Sequence, residues 1–385
     1  MNNFEFCNPV KIVFGKGTIS RLADQIPERS KVMILYGGGS IKANGVYDQV
    51  KNALADFDVV EFGGIRPNPD YDICMEAADL VKREGVNFLL AVGGGSVIDA
   101  TKFIAAAVCF KGTDPWDILR NGAEIKEALP LGCVLTLAAT GSEMNERFVI
   151  SRHEANLKLG YASPLVFPRF AILDPEVTLS LPLRQVINGV VDSFVHVIEQ
   201  YLTYPVNARV QDAFSESLMR IIKEEGKKVL KNQNDYDIRA NLMWAASNAL
   251  NSWIGQGVPQ DWSSHRIGYS LTALFGLDHA QTLAVVLPGV MEYKKEAKKE
   301  KILSLGKNVF DLMLGIEDDK MVDDTIHAVE DFFRSMGLCT RLSEYGIKKK
   351  DLDILVEHVR DMNWKLGEHA DIDWQAAREI LRLRL

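Results

Sequence analysis

Four side chains in the second half of the chain have the residue types and the spacing of a metal site. Asp192 and His196 are four residues apart in the segment GVVDSFVHVIEQY, so they lie on one face of a predicted helix. His265 and His279 begin and end a second helix-like stretch, HRIGYSLTALFGLDH. One carboxylate with three imidazoles suits Fe²⁺ or Zn²⁺ and leaves a coordination position open. A buried ion pair beside packed histidines is the competing interpretation, and the spacing alone does not separate the two.

A glycine-rich segment in the first half has the position of a phosphate-binding loop. Residues 93–96 read GGGS, between the apolar run FLLAV and a helical pattern that begins VIDATK. Glycines let a backbone approach a phosphate closely, and the start of a helix offers free N–H groups. The spacing matches neither G-x-G-x-x-G nor a P-loop, and a plain strand-to-helix turn is the alternative.

Two further strand ends carry groups that suit a dinucleotide. Residues 37–40 also read GGGS after the run KVMILY, and no acid stands there to hold the 2′-hydroxyl of NAD. This segment favours the 2′-phosphate of NADP, with a turn that binds nothing as the alternative. Thr136, Thr140 and Ser142 follow a third run, where hydroxyls suit a diphosphate or the nicotinamide ribose, although an ordinary Ser/Thr-rich turn explains them as well.

The elements that must position these residues change in type near residue 180. Before it, short β-rich runs at 31–36, 59–62, 88–92, 132–137 and 170–173 alternate with helical patterns at 41–56, 71–84 and 97–110. Such alternation predicts a doubly wound α/β domain. After it, patterns with a 3.6-residue period predict a nearly all-α domain, with helices at 183–203, 207–231, 238–255, 263–275, 297–313, 320–336, 350–364 and 373–383.

Length and composition limit the classes of protein that fit this chain. Its 385 residues suit two or three domains, and the change near residue 180 reduces the prediction to two, 1–180 and 181–385. The chain has 44 basic and 52 acidic residues, and the formal charge of −8 argues against a nucleic-acid partner. Five widely spaced cysteines are typical of a reduced, cytoplasmic protein. The first residues do not resemble a signal peptide, and no apolar run predicts a membrane span.

Together these motifs resemble those of the iron-containing, or group III, alcohol dehydrogenase family, and within it the NADPH-dependent butanol dehydrogenase and aldehyde reductase branch. The resemblance runs over essentially the whole chain. It rests on FGKG at 14–17, the two GGGS segments, RPNP at 66–69, TGSE at 140–143, LDPEVT at 173–178, DSFVH at 192–196 and the later pair of histidines. It implies a dehydroquinate-synthase-like fold, with an α/β N-terminal Rossmann-like domain for the dinucleotide and an all-α C-terminal domain for the metal.

The resemblance also implies the cofactors and the residues that hold them. It implies one divalent metal, Fe²⁺ or Zn²⁺, on Asp192, His196, His265 and His279. It implies NADP(H) held by Gly37, Gly38, Gly39, Ser40, Asn68, Gly94, Gly95, Ser96, Asp99, Thr136, Thr140, Ser142 and Lys158. The implied reaction is hydride transfer between NADP(H) and a small aliphatic alcohol or aldehyde, so the expected enzyme is an NADP-dependent alcohol dehydrogenase.

One position departs from the family pattern. Family members often have a histidine four residues after the third metal ligand, and this chain has Tyr269 there. A tyrosine, with an ordinary pKa of about 10, is a weaker base at neutral pH than an imidazole. We therefore expect Tyr269 to assist proton transfer in the reaction rather than to carry it alone. With Phe148, Trp253 and Trp262, it is also expected to line an apolar substrate pocket.

Two other functions remain open from the sequence. A metal-dependent lyase or cyclase of the dehydroquinate-synthase type would share the fold, but the segments around Asp192 and His279 offer few basic residues for a polyanionic substrate, apart from Arg266. A non-catalytic protein that binds metal or nucleotide would also share these motifs. The resemblance further implies a homodimer, with a strand around residues 9–14 at its interface, and no nucleic-acid or membrane partner.

Overall fold

The computed structural model describes residues 1–312 and 317–385, and these form two compact units. We call Cys7–Pro182 with Gln233–Ser247 the sheet unit, and Met1–Phe6 with Leu183–Asn232 and Asn248–Leu385 the helical unit. The chain therefore changes unit between residues 182 and 183, close to the predicted boundary, and two short segments join the unit of the other half. The predicted domain limits of 1–180 and 181–385 stay a prediction.

The sheet unit is built on six parallel strands. The described strands are β1 Lys11–Phe14, β2 Lys31–Tyr36, β3 Asp58–Phe62, β4 Phe88–Gly93, β5 Leu131–Leu135, β6 Arg147–Arg152, β7 Leu157–Ala162 and β8 Phe170–Leu173. The sheet has the order β1-β8-β5-β4-β2-β3, with every neighbouring pair parallel. The remaining two strands, β6 and β7, form an antiparallel hairpin that the sequence analysis did not predict.

Helices account for most of the remaining structure. The described helices are α1 Ser40–Ala43, α2 Val46–Ala53, α3 Tyr71–Glu84, α4 Gly95–Cys109, α5 Asp117–Arg120, α6 Leu183–Tyr201, α7 Arg209–Val229, α8 Tyr236–Ala249, α9 Ser263–Phe275, α10 His279–Tyr293, α11 Lys299–Phe310, α12 Asp318–Ser335, α13 Leu352–Asp361 and α14 Trp374–Arg382. The first five and most of α8 belong to the sheet unit. None of the helices within the described ranges is long and apolar enough to cross a bilayer.

Both faces of the parallel sheet are buried, because helices cover each of them. Alternate residues of the central strands enter opposite cores: Leu89 and Ala91 pack with α3 and α4, while Leu90 and Val92 pack with α2. A strand that is buried on both faces has no polar side, which is why β4 and β5 read as unbroken apolar runs. The predicted fold class, an α/β Rossmann-like part followed by an all-α part, is confirmed.

The helical unit contains one long helix that was not predicted. A hydrophobic core of the helical unit is formed by α9, α10, α13 and α14. The helix α10 is apolar on nearly all sides and contains Pro288, so it lacks the amphipathic stripe on which the sequence prediction depended. The predicted helix at 297–313 corresponds to α11, which ends at Phe310, and the last residue of that prediction, 313, lies outside the described residues.

Candidate metal and cofactor sites

Three helices of the helical unit bring the four predicted metal ligands together. Asp192 and His196 lie one turn apart on α6, His265 lies on α9, and His279 is the first residue of α10. The Oδ1 atom of Asp192 lies 3.6, 3.7 and 3.5 Å from the Nε2 atoms of His196, His265 and His279, respectively. Tetrahedral ligands at 2.0–2.2 Å from a metal are about 3.3 to 3.6 Å apart. The separations from this oxygen therefore match a shared cation rather than direct hydrogen bonds.

Buried polar atoms without protein partners support the same conclusion. The Oδ1 atom of Asp192 and the Nε2 atom of His265 are inaccessible to solvent and have no hydrogen-bond partner among the described residues. An unsatisfied buried polar atom costs about 1–3 kcal/mol, so such atoms rarely meet by chance. The ligand atoms of Asp192, His265 and His279 also lie within 4.8 Å of one another. The residues present fit a divalent cation.

One side of this group is more open than the others. The side chains of Asp192, His196 and His265 are at most 6% exposed, whereas that of His279 is 24% exposed. A catalytic metal site keeps one coordination position for water or substrate. We expect that position on the side of His279.

The electrostatics of the group are those of a cation site. Burial alone would raise the pKa of Asp192, but the surrounding imidazoles outweigh it and hold that pKa well below its ordinary value. Burial lowers the pKa of His196 to about 4, so its ring is neutral and able to bind a metal. Burial also acts to lower the pKa of His265, but Glu199 and Asp192 outweigh it and raise that pKa to about 9. The site thus concentrates negative charge around His265.

Helix starts fix two of the ligands. The helix α9 begins at Ser263, whose backbone N–H donates to Oδ1 of Asp261 at 2.9 Å. The helix α10 begins with a capping box, in which Asp278 donates its backbone N–H to the side chain of Gln281 at 2.9 Å. These hydrogen bonds hold His265 and His279 at defined positions in their first helical turns.

Tyr269 lies one turn after His265 on α9, next to the metal ligands. Its ring centroid is 5.9 Å from that of His279, and the guanidinium group of Arg266 lies 5.8 Å from the tyrosine ring. The position is compatible with a role in proton transfer, which stays a prediction. Among the aromatic residues expected in the substrate pocket, Trp262 contacts His265 with the ring centroids 5.4 Å apart.

Phe148 does not fit the expected substrate pocket. Its side chain is 1% exposed and packs between Phe103 and Tyr161 in the core of the sheet unit. The prediction for this residue is wrong, because an aromatic side chain on a hairpin strand completes the core of its own unit. Trp253 packs against Phe6 and Phe214, with ring centroids 5.2 and 6.1 Å away.

The predicted cofactor residues gather at one edge of the parallel sheet. The two GGGS segments follow β2 and β4, and the segment 136–142 follows β5, which are three neighbouring strands. Parallel strands end at the same edge, and dinucleotides bind outside that edge in open α/β sheets. A hydrogen bond of 3.0 Å from the N–H of Thr136 to the carbonyl of Gly93 joins two of these segments.

The glycines of the two GGGS segments serve different physical needs. A Cβ atom on Gly38 or Gly39 would meet nothing within 4 Å, so the backbone after β2 is open to a ligand. A Cβ atom on Gly95 would lie 2.3 Å from Oγ1 of Thr140, so this glycine permits close packing of α4. The first N–H groups of α4 have no acceptor inside the helix and suit a diphosphate. The geometry of this edge fits a dinucleotide.

A buried polar network holds the segment after β5. The hydroxyl of Ser142 donates to Asp99 at 2.6 Å, and Asp99 also accepts the backbone N–H of Val149 at 2.9 Å. Lys102, which the sequence analysis missed, donates to Ser142 at 3.0 Å and to Asn145 at 3.1 Å, and burial lowers its pKa to about 8. Its place in the motif GGGSVIDATK, one helical turn after Asp99, was the available signal.

Two other predicted cofactor residues form a hydrogen bond with each other. The amine of Lys158, on β7, donates to Oδ1 of Asn68 at 2.8 Å. Asn68 has a positive φ of 53°, in the RPNP turn before α3. Their contact with a cofactor stays a prediction, as do the cofactor contacts of Asp99 and Ser142.

Comparisons with known proteins agree over the whole chain. The family model described as iron-containing alcohol dehydrogenase matches residues 9–175, and the model for the C-terminal part of the same family matches residues 186–383. The chain is 51% identical to the NADPH-dependent aldehyde reductase YqhD of Escherichia coli (strain K12), with 99% of each chain covered. It is 42% identical to NADP-dependent alcohol dehydrogenase 3 of Entamoeba histolytica, covering 99% of this chain and 98% of that one.

Solved structures give the same result. The crystal structure of E. coli K-12 YqhD has a TM-score of 0.98 at 50% identity and covers 100% of this chain and 99% of that chain. The structure of NADH-dependent butanol dehydrogenase A from Thermotoga maritima has a TM-score of 0.95 at 36% identity, with 100% and 99% covered. These relatives share the fold but differ in the nicotinamide cofactor that their names state.

Proposed function

Since the chain belongs to the iron-containing alcohol dehydrogenase family, we propose that it transfers a hydride between NADP(H) and a small aliphatic alcohol or aldehyde. The predicted family and the predicted enzyme class, an oxidoreductase, are thereby confirmed. The observation that carries the proposal is the approach of three imidazole nitrogens to one buried carboxylate oxygen, at 3.5–3.7 Å. The lyase and binding-protein alternatives are not favoured.

The metal site has a defined task in this reaction. Asp192, His196, His265 and His279 would hold one Fe²⁺ or Zn²⁺, which when bound acts as a Lewis acid on the carbonyl or hydroxyl oxygen of the substrate. The carboxylate of Asp192 would partly neutralise the cation, and the buried rings of His196 and His265 would shield it from water. The more exposed side, at His279, is where we propose that substrate enters.

The choice of NADP(H) over NAD(H) rests on the loop after β2. Bound NADP(H) supplies or accepts the hydride, and this chain must hold its adenosine 2′-phosphate. Lys42 follows the open glycines, and its amine lies 5.0 Å from the ring centroid of Tyr36 and 4.8 Å from that of Tyr47. A hydrogen bond with Tyr36 raises the pKa of Lys42, so its charge is retained at neutral pH. We propose that this charge attracts the 2′-phosphate.

An acid that acts on Lys42 is already engaged by the protein. Glu61, on β3, accepts hydrogen bonds from Tyr47 at 2.7 Å and from Lys51 at 3.2 Å. Its charge is therefore largely compensated, and it does not supply the carboxylate that usually selects NAD. This arrangement supports the preference for NADP(H).

The proposed function is tested by oxidation of NADPH with butanal, followed by absorbance, together with metal analysis of the same sample. Asp192→Asn and His265→Ala are expected to lose both the bound metal and turnover, because each removes a buried ligand. His327→Ala, a histidine change on the exposed face of α12, is the matched control and is expected to keep both. Turnover by a metal-free sample would refute the proposal.

We also propose a homodimer and a cytoplasmic location. The strand β1 is an edge of the sheet, and beside it Phe14 and Trp244 are 41% and 42% exposed and pack with ring centroids 6.0 Å apart. An edge strand with exposed aromatic rings suits association with a second copy. Light scattering after size exclusion is expected to give twice the chain mass, and Phe14→Asp is expected to lower it. The five free cysteines favour a reducing compartment, which cell fractionation tests.

A further inference from the structure

A buried carboxylate contacts the metal ligand His265 at the ring nitrogen that does not face Asp192. The Nδ1 atom of His265 faces Oε2 of Glu199, and the two side chains are 6% and 2% exposed. The other oxygen of Glu199 accepts the backbone N–H of Ser264 at 2.6 Å. Both oxygens of Glu199 are thus used by adjacent residues in the first turn of α9.

This contact decides which nitrogen of His265 is available to a metal. A carboxylate beside Nδ1 requires a proton there, which leaves the lone pair of a neutral ring on Nε2. The Nε2 atom is the one that lies 3.7 Å from Oδ1 of Asp192 and has no hydrogen-bond partner among the described residues. We propose that Glu199 is a positioning residue, which fixes the tautomer and the ring orientation of His265 for the metal. The inference rests on the proposed metal site.

A second set of buried charges fixes Glu199 in turn. Its backbone carbonyl accepts the N–H of Asp261 at 2.9 Å. The side chain of Asp261 accepts the N–H of Ser263 at the start of α9 and lies 2.8 Å from the amine of Lys298, which is 1% exposed. That amine also donates to both oxygens of Glu368, at 2.8 and 2.7 Å. The end of α6 and the start of α9 are therefore joined by a backbone hydrogen bond, and buried ion pairs hold Asp261 in place.

A purely structural role predicts a different outcome from the positioning role. If Glu199 only tied α9 to α6, its loss would lower stability and leave the affinity of the folded protein for metal unchanged. Outer partners of histidine ligands typically contribute ten- to hundredfold in metal affinity. Metal affinity and the tautomer of His265 therefore separate the two roles.

The first experiment compares Zn²⁺ binding by wild type, Glu199→Gln and Glu330→Gln, each stripped of metal and titrated against a chelator. Glu330 is the matched control, because it is a buried helical-unit glutamate, 9% exposed, that contacts Thr340 and Arg384. We expect Glu199→Gln to weaken Zn²⁺ binding by about ten- to hundredfold, with a changed Co²⁺ absorption spectrum. We expect Glu330→Gln to bind as wild type. Equal Zn²⁺ affinity and an unchanged Co²⁺ spectrum in Glu199→Gln would overturn the inference.

The second experiment reads the tautomer in the wild-type protein, so it does not depend on how a Glu199 variant folds. Two-bond ¹H–¹⁵N spectra of the Zn²⁺-loaded protein report which nitrogen of each of the seven histidines carries a proton. The His265 signals are identified by their loss in His265→Asn. We expect a proton on Nδ1 of His265, and a proton on Nε2 would overturn the inference. Failure of wild type to bind one Zn²⁺ or Co²⁺ per chain would instead refute the proposed metal site, and the inference with it.

Discussion

Replacement of Gly95 by alanine is expected to destabilise the sheet unit, although alanine is the better helix former. An ideal Cβ atom at this position would lie 2.3 Å from Oγ1, 2.6 Å from Cγ2 and 2.9 Å from Cβ of Thr140. Rotation of the threonine side chain does not relieve the contact, because its Cβ atom is itself too close. The backbone of α4 or of the segment after β5 must therefore move.

The expected change in the free energy of unfolding combines two destabilising contributions and one stabilising contribution. Overpacking of this kind costs about 1–3 kcal/mol. Movement of Thr140 also breaks the hydrogen bond of 3.2 Å that its Oγ1 accepts from the N–H of Ser142, which is worth about 0.5–1.5 kcal/mol. Alanine stabilises a helix by at most about 1 kcal/mol relative to glycine, which offsets part of this cost. The balance is a loss of about 2 kcal/mol in the free energy of unfolding, or roughly 25-fold in the equilibrium constant.

Urea unfolding and NADPH titration measure the effect. We expect Gly95→Ala to unfold at lower urea and to bind NADPH more weakly, since the moved segment carries Thr140 and Ser142. Gly38→Ala is the control for stability, because its Cβ atom would meet nothing within 4 Å and its φ is not positive. In the double variant with Thr140→Gly, the additional cost of Gly95→Ala should fall close to zero. Wild-type stability of Gly95→Ala, or an equal cost in both backgrounds, would refute the packing argument.

Three further predictions concern the cofactor, the proton and the pH dependence of stability. Lys42→Gln is expected to raise KM for NADPH about two- to fivefold and to leave KM for NADH unchanged, since only NADPH carries the 2′-phosphate; steady-state kinetics with both cofactors tests this. Tyr269→Phe is expected to lower kcat about ten- to hundredfold, and an unchanged pH–rate profile would contradict its role. Burial acts to raise the pKa of Glu330, but Arg384 and Thr340 outweigh it and lower that pKa below its ordinary value. Glu330 therefore stabilises the fold above its unfolded pKa of about 4.5, and the contribution is lost as pH falls through the lower folded value. Glu330→Gln should cost about 1.5–3 kcal/mol at pH 7 and progressively less as the pH falls below 4.5, and urea unfolding over this pH range measures the difference against the exposed change Glu357→Gln.

Local patterns predicted the parts of the fold that are decided locally. The strand, glycine segment and helix at 88–109 follow one another in sequence, and each has its own signal. The hairpin of β6 and β7 had none, because its strands mix charged and apolar residues and neither strand joins the parallel sheet. The helix α10 was missed because its burial removes the polar face that marks a helix in sequence.

In the candidate metal site, too, local spacing predicts what lies on one helix but not how the helices pack. The pair on α6 was visible from its spacing, while the approach of His265 and His279 depends on how α9 and α10 pack, which no local pattern contains. Glu199 was missed because a single glutamate in an apolar helix resembles a solvated charge. It stands seven residues after Asp192 and three after His196, so all three lie on one face of α6, and that spacing was the available signal.

The return of residues 233–247 to the sheet unit also affects how the chain folds as it is synthesised. Met243 belongs to the core of the sheet, and Ser247 donates to the buried Glu143. Ribosomes add about 5–20 residues per second, so the last sheet-unit segment emerges about 3–13 s after residue 182. For that time the nascent sheet has an uncovered patch. Met1–Phe6 precede the sheet unit in the chain but belong to the helical unit, so they can pack only after the helices that follow residue 182 have been made.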